Sequence, residues 1–322
     1  MTVKRRMVFV LLALAAAAAL GGLRAQQLAA QALDGRRAAV QETAQLSQFR
    51  LLEQTASSQA GVRVNGWLAI VNEEAISMDT ARGRLSASLY PPVGGQADAP
   101  WAIVLHGGLG TDRSQVLDVA CTLSLHGYHV LAPDLYAHGA SDGRISSLGV
   151  RDADDVLAWT EWILARDADA RIVLFGQDEG ATAVLVAARR WLPDAVAAAA
   201  ADSATSSAVG RLDQMLEQIN PGASALDRAL LRLGYRAAHG LSVAAGDMTG
   251  GATGFRLPLL LIHGTGDADI PAWHSEDIAV EAGDGAQLLL VEGAGHGMAR
   301  YVDQEKYYDA LLGFFDGALQ GG

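Results

Sequence analysis

The sequence predicts an α/β domain with a mostly parallel sheet, and three observations carry that prediction. From Gly61 onward, short apolar runs alternate with longer stretches of helical periodicity. Several of the runs are almost continuously apolar, as in a parallel strand covered on both faces. Polar, glycine-flanked residues follow directly on the ends of those runs, where open α/β sheets bind their ligands.

Eight strands are expected in order: Ala75–Met78, Arg84–Leu89, Trp101–Leu105, His129–Ala132, Arg171–Phe175, Val196–Ala200, Leu257–Ile262 and Gln287–Val291. Helices lie between them, for example Gly149–Ala165, where Val156, Trp159, Trp162 and Ile163 recur at helical spacing. A small helical insertion is expected near Ala204–Gly254. No repeat or internal linker interrupts residues 61–322, which read as one domain.

Composition limits the function classes. Of 322 residues 50% are hydrophobic and 19% charged, with a mean hydropathy of +0.17, so the chain can build a core. A net charge of −12 repels phosphate backbones and disfavours nucleic-acid partners. The single cysteine, Cys121, excludes an intrachain disulfide and reads as a buried thiol.

At the N-terminus, Lys4, Arg5 and Arg6 precede an uncharged run from Met7 to Leu23. This pattern predicts export, through a signal peptide or signal anchor within residues 1–25. If uncleaved, the segment makes the membrane a partner and leaves the domain facing outward; if cleaved, the product is periplasmic or secreted. Loss of residues 1–25 removes four basic residues and no acidic one, taking the charge from −12 to −16. Residues 26–60, polar and Ala/Gln-rich, read as a solvated helical stalk.

The candidate chemistry follows the strand ends. After Leu105 comes His106-Gly107-Gly108, a turn that can present backbone N–H groups to an oxyanion, Gly108 foremost. After Phe175 comes Gly176-Gln177-Asp178-Glu179-Gly180, then a helix-forming run. This strand, sharp turn and helix are the context of a nucleophile elbow, with aspartate at its centre. Gly139-Ala-Ser141-Asp-Gly143 also matches G-x-S-x-G, but Ser141 lies in a polar loop well past its strand and reads as a loop residue. After Ile262, Asp267 is the candidate acid for orienting a histidine, and Asp269 is expected to be solvated. After Val291, His296 is flanked by glycines at a strand end, and so expected to be exposed and mobile as a general base needs.

With these motifs the chain resembles the α/β-hydrolase superfamily, in which nucleophile, acid and histidine follow in that order. It looks most like bacterial membrane-anchored or exported serine hydrolases related to the dipeptidyl-peptidase and acyl-transferase-like group. The resemblance spans about Glu74 to Phe315 and includes Pro133-Asp134, Asp202-Ser203 and Gly293-Ala-Gly-His296. It implies a hydrolase of a small-molecule substrate, with Asp178, Asp267 and His296 as the catalytic constellation. It implies the backbone amides of Gly108 and Glu179 as oxyanion donors. The histidines stand singly after separate strands with no ligand-pair spacing, so neither a metal nor an organic cofactor is expected.

The aspartate changes the chemistry. A carboxylate attacking an ester carbonyl gives a mixed anhydride, which is uphill, whereas on saturated carbon it gives an ester that water can open. Haloalkane dehalogenases and epoxide hydrolases of the superfamily work so. Dehalogenases usually place tryptophan after the nucleophile, where this chain has Glu179. Epoxide hydrolases use cap tyrosines, and the insertion here holds only Tyr235. Three readings follow: a hydrolase of unassigned substrate, a non-catalytic binding or scaffold protein, and a dehalogenase- or epoxide-hydrolase-like enzyme.

Overall fold

The computed structural model describes residues 3–36, 50–95, 98–190, 192–250 and 254–321. Its frame is an eight-stranded sheet: β1 (Glu74–Thr80), β2 (Gly83–Tyr90), β3 (Trp101–Leu105), β4 (His129–Pro133), β5 (Ile172–Gln177), β6 (Val196–Asp202), β7 (Leu259–Gly264) and β8 (Ala286–Val291). The spatial order is β1-β2-β4-β3-β5-β6-β7-β8. Only the pairs β1–β2 and β2–β4 are antiparallel. All eight expected strands form, with ends shifted by a residue or two.

Alternation along the central strands divides two apolar layers. Ile103, Leu105, Ile172, Leu174 and Leu261 pack with α4 (Asp152–Leu164), α5 (Glu179–Arg189) and α8 (Trp273–Ala282). Ala102, Val104, Val173, Phe175 and Ile262 face α2 (Arg50–Leu68), α3 (Leu117–Leu125), α9 (Ala299–Val302) and α10 (Gln304–Gln320). Both faces are dry, which is why these strands read as continuous apolar runs. Cys121 is buried in the second layer.

The insertion forms a cap of α6 (Ala208–Ile219) and α7 (Ala225–His239). Ser224 and Asp227 close a reciprocal cap at the start of α7, which is why the helix begins there.

The N-terminal region departs from the expected stalk. One helix, α1 (Val3–Ala32), runs unbroken through Ala25. Leu28, Ala29, Ala32 and Leu33 are buried with Leu231 and Tyr235 of the cap, and Arg24 pairs with Asp227 at 3.5 Å. Sequence alone hid this because Ala/Gln-rich helix has little apolar contrast between its faces. The middle of the expected stalk, residues 37–49, lies outside the described residues. Its last part belongs to α2, which buries Val64 and Trp67 on the domain. Among the described residues no helix is long and apolar enough to cross a membrane.

Candidate active site

The site assembles at the C-terminal ends of β3, β5, β7 and β8. Between β5 and α5 the chain turns within one residue. Asp178 occupies that turn at φ 49°, ψ −108°, a conformation that side chains other than glycine adopt only under strain. The flanking glycines make the turn possible. A Cβ on Gly176 would stand 2.1 Å from the Gly180 carbonyl oxygen, and one on Gly180 would stand 2.5 Å from that of His106. The backbone thus folds into an elbow with Asp178 at its apex, and α5 starts at Glu179.

The loops after β7 and β8 bring an acid and a histidine to that apex. His296 Nδ1 donates to Asp267 Oδ2 at 2.8 Å, and His296 Nε2 lies 3.5 Å from Asp178 Oδ2. Asp267 is itself fixed: its Oδ1 accepts the N–H groups of Asp269 at 3.0 Å and Ile270 at 2.8 Å. Its Oδ2 is also 3.3 Å from Nε2 of His263, a buried ring bonded to Ser275 and to the Ile270 carbonyl.

Electrostatics follow from this sharing. Burial opposes ionisation of Asp178, but the bond and charge of His296, then Arg211, outweigh it and hold the carboxyl below its usual range. Burial likewise opposes charge on Asp267, and His263 and His296 outweigh it, so it too lies low. On His296 burial works against the imidazolium, yet Asp178 and Asp267 together push its pKa well above the ordinary value.

The His106–Gly108 loop, expected from sequence to present oxyanion donors, is held from behind. The buried His106 accepts the Leu135 N–H on Nε2 at 3.0 Å, and its Nδ1 meets Thr111 Oγ1 at 3.1 Å. The Gly107 N–H is committed to Gln115 Oε1 at 2.8 Å. Both glycines stand against the elbow: a Cβ on Gly107 would lie 2.7 Å from Asp178 Cβ, and one on Gly108 3.5 Å from Asp178 Oδ2. Glu179 contributes its backbone at the start of α5, while its carboxylate accepts from Ser146 Oγ at 2.7 Å and lies 3.7 Å from His138 Nε2. Burial, tempered by His138 and reinforced by Asp178, lifts the Glu179 pKa to about 6.

The structure therefore brings Asp178, Asp267, His296, Gly108 and Glu179 together and leaves Ser141 out. Ser141 Oγ donates to the Asp134 carbonyl at 2.8 Å and accepts the Ser86 N–H at 2.9 Å, tying its loop to β2. Asp269 differs from its expected solvation: it pairs with Arg211 of α6 at 2.8 Å and accepts from Gln214. Sequence reading missed Arg211 because nothing in the insertion marks which face of α6 turns inward. Among the described residues no group of three or more His, Cys, Asp or Glu side chains is placed to hold a metal ion.

Comparison with known proteins agrees with this architecture. A family model described as alpha/beta hydrolase fold matches residues 100–232. The chain has the α/β-hydrolase fold. The esterase of Pyrococcus furiosus superposes with a TM-score of 0.58 at 20% identity, over 76% of this chain and 91% of that one. A membrane phospholipase A, described as a bacterial virulence factor, superposes with a TM-score of 0.53 at 19% identity, over 99% of this chain and 100% of that one. In sequence, an uncharacterized protein of Mycobacterium tuberculosis is 27% identical over 241 residues, 74% of this chain and 78% of its own. The likeness is one of fold, and in this chain Asp178 stands at the turn between β5 and α5.

Proposed function

We propose that this protein is a hydrolase in which the Asp178 carboxylate attacks a saturated carbon of a small-molecule substrate. The observation that carries the reading is His296 lying between two carboxylates, 2.8 Å from Asp267 and 3.5 Å from Asp178. In the first step an Asp178 oxygen forms a bond to the substrate carbon, and the leaving group departs with the electron pair of the bond that breaks. In the second, water adds to the Asp178 carboxyl carbon, His296 takes its proton, and the alcohol product is released with the carboxylate restored. The N–H groups of Gly108 and Glu179 stabilise the oxyanion formed on Asp178 itself.

The resting ion pair keeps His296 protonated and a poor general base, so the reaction requires that pair to be broken. A carboxyl held below its usual range is ionised at neutral pH and available as a nucleophile. Once Asp178 is esterified it carries no charge, so one of the two attractions that keep His296 protonated disappears. The imidazole then becomes a usable base at the stage that needs one. Acyl transfer to Asp178 is uphill, so simple esters are poor substrates for the protein as it stands.

The test is a single turnover in ¹⁸O-water with excess protein over haloalkane or epoxide probes. Label in the Asp178 carboxylate, read by peptide mass spectrometry, is the expected result. Turnover with label only in the product alcohol would overturn it.

A second reading, a non-catalytic binding protein, is favoured by one observation. Tyr235, the tyrosine of the insertion, donates its hydroxyl to the Ser147 carbonyl at 2.8 Å inside the core and so serves as no acid for a leaving group. Absence of turnover across both probe classes, with ligand binding retained, would select that reading.

The proposed location is outside the cytoplasm, exported by the segment with Lys4, Arg5 and Arg6. The similarity to a membrane phospholipase A extends over the N-terminal helix and supports this. Fractionation of the tagged full chain tests it, with recovery in the cytosol as the contrary result.

A further inference from the structure

Behind the site lies an arginine that no motif announces. Arg300, in α9, is 2% exposed, and its guanidinium reaches three separate segments. Nε donates to Asp118 Oδ2 of α3 at 2.7 Å. Nη1 donates to Gln177 Oε1 at 3.0 Å and to the Gly297 carbonyl at 2.9 Å. Nη2 donates to the Gln115 carbonyl at 2.9 Å.

Three of those acceptors, Gln177, Gly297 and Gln115, belong to arms of the site. Gln177 immediately precedes Asp178, and Gly297 immediately follows His296. Gln115 holds the Gly107 N–H through its side chain and so sets the loop that carries Gly108. The Gly297 loop has a second anchor, since its N–H donates to Ser203 Oγ at 3.1 Å. At Gly297 φ is +64°, and a Cβ there would stand 2.0 Å from Gln177 Nε2, so the two arms touch across this point.

We infer that Arg300 is the positioning residue of the site, one planar fork that registers the elbow, the histidine loop and the oxyanion loop against one another. The inference rests on the roles given above to Asp178 and His296. A guanidinium suits the task because its donors point in fixed directions, and Asp118 neutralises its buried charge. Lysine keeps the charge opposite Asp118 but presents a point donor on a flexible stem, so it satisfies one acceptor and releases others.

The test compares Arg300→Lys and Gln177→Met, the latter cutting one arm while leaving the Arg300–Asp118 pair intact. In the parent chain, NMR titration of the His296 ring should show its pKa lowered by about one unit or more in each variant, because Nε2 leaves Asp178. In chains also carrying Asp178→Ser, assayed with p-nitrophenyl acetate, kcat should fall at least about 20-fold with KM within about two-fold. A residue that merely held the fold together would reduce the folded fraction and leave the pKa of the folded molecules unchanged. Should Arg300→Lys not fold, Gln177→Met alone decides. Variants that fold and keep the parent His296 pKa overturn the inference. The NMR arm needs no turnover, so it stands apart from any failure of the proposed reaction.

Discussion

The loop after β7 and the turn after β5 present one carboxylate each to the same imidazole, and they hold it in different ways. Asp267 is anchored: two backbone N–H groups and His263 engage it before His296 does, and its bond to Nδ1 is 2.8 Å. Asp178 is displayed: it stands at a strained apex with His296 Nε2 at 3.5 Å. The anchored acid orients the ring and belongs to the fold. In the proposed reaction the displayed acid is the one that meets the substrate, and its strain is sustained by the packing of β5 and α5 around it. Substitutions at the two should therefore separate stability from chemistry.

Asp267→Ala gives the largest expected effect. It strands two backbone donors and removes the partner of His296, at a cost on the order of 3 kcal/mol in urea denaturation. A cost below about 1 kcal/mol would erase the contrast with Asp178.

Glu179→Gln comes next, and its sign is opposite. Burial lifts the Glu179 pKa to about 6, so the folded state binds its proton more tightly than the unfolded chain does. The carboxylate therefore destabilises the fold as pH rises from about 4 through 6, and the amide removes that cost. A gain of about 2 kcal/mol at pH 8 that vanishes at pH 4 is expected from paired denaturation curves. An equal gain at both pH values would show that charge is not its origin.

The histidine and its two acids set the remaining pH dependence. His296 is raised, so its contribution is full below about pH 6.5 and is lost as pH rises through its elevated value. Asp178 and Asp267 are depressed, so theirs is full above about pH 4 and is lost as pH falls through their lowered values. The pairing is at full strength between about pH 4 and 6.5. Asp267→Ala should flatten the stability profile on both sides of that window.

Ser141→Ala tests the other G-x-S-x-G segment. It leaves the Ser86 N–H without its partner and should cost about 1 kcal/mol without altering any signal of His296. A shifted His296 resonance would reopen Ser141 as a member of the site.

What the sequence made legible follows from which interactions are local. Strands β3, β5 and β7 were readable because both their faces are dry, and the elbow because Gly176 and Gly180 bracket Asp178 within five residues. His296 and Asp267 were readable because each lies just past its own strand end. Arg211, Arg300 and the docking of α1 were not. Arg300 acts through Asp118, Gln115, Gln177 and Gly297, three of which lie more than a hundred residues away, and nothing near it in sequence signals those partners. Asp269 was misread for the same reason, since its partner Arg211 comes from the cap.

Asp178→Ser should cost less than Asp267→Ala, about 1 to 2 kcal/mol, because the displayed acid contributes one buried ion pair while its position remains strained. It should also bring measurable p-nitrophenyl esterase activity, since a serine alkoxide forms an ordinary ester where a carboxylate does not. The most direct measurement is NMR titration of the His296 ring in the parent and in Asp178→Ser. The account predicts a ring still protonated at pH 7 in the parent and a pKa lower by about one unit or more in the variant, where only Asp267 remains as its partner. Equal values in the two proteins would contradict the sharing of one imidazole between an anchored and a displayed acid.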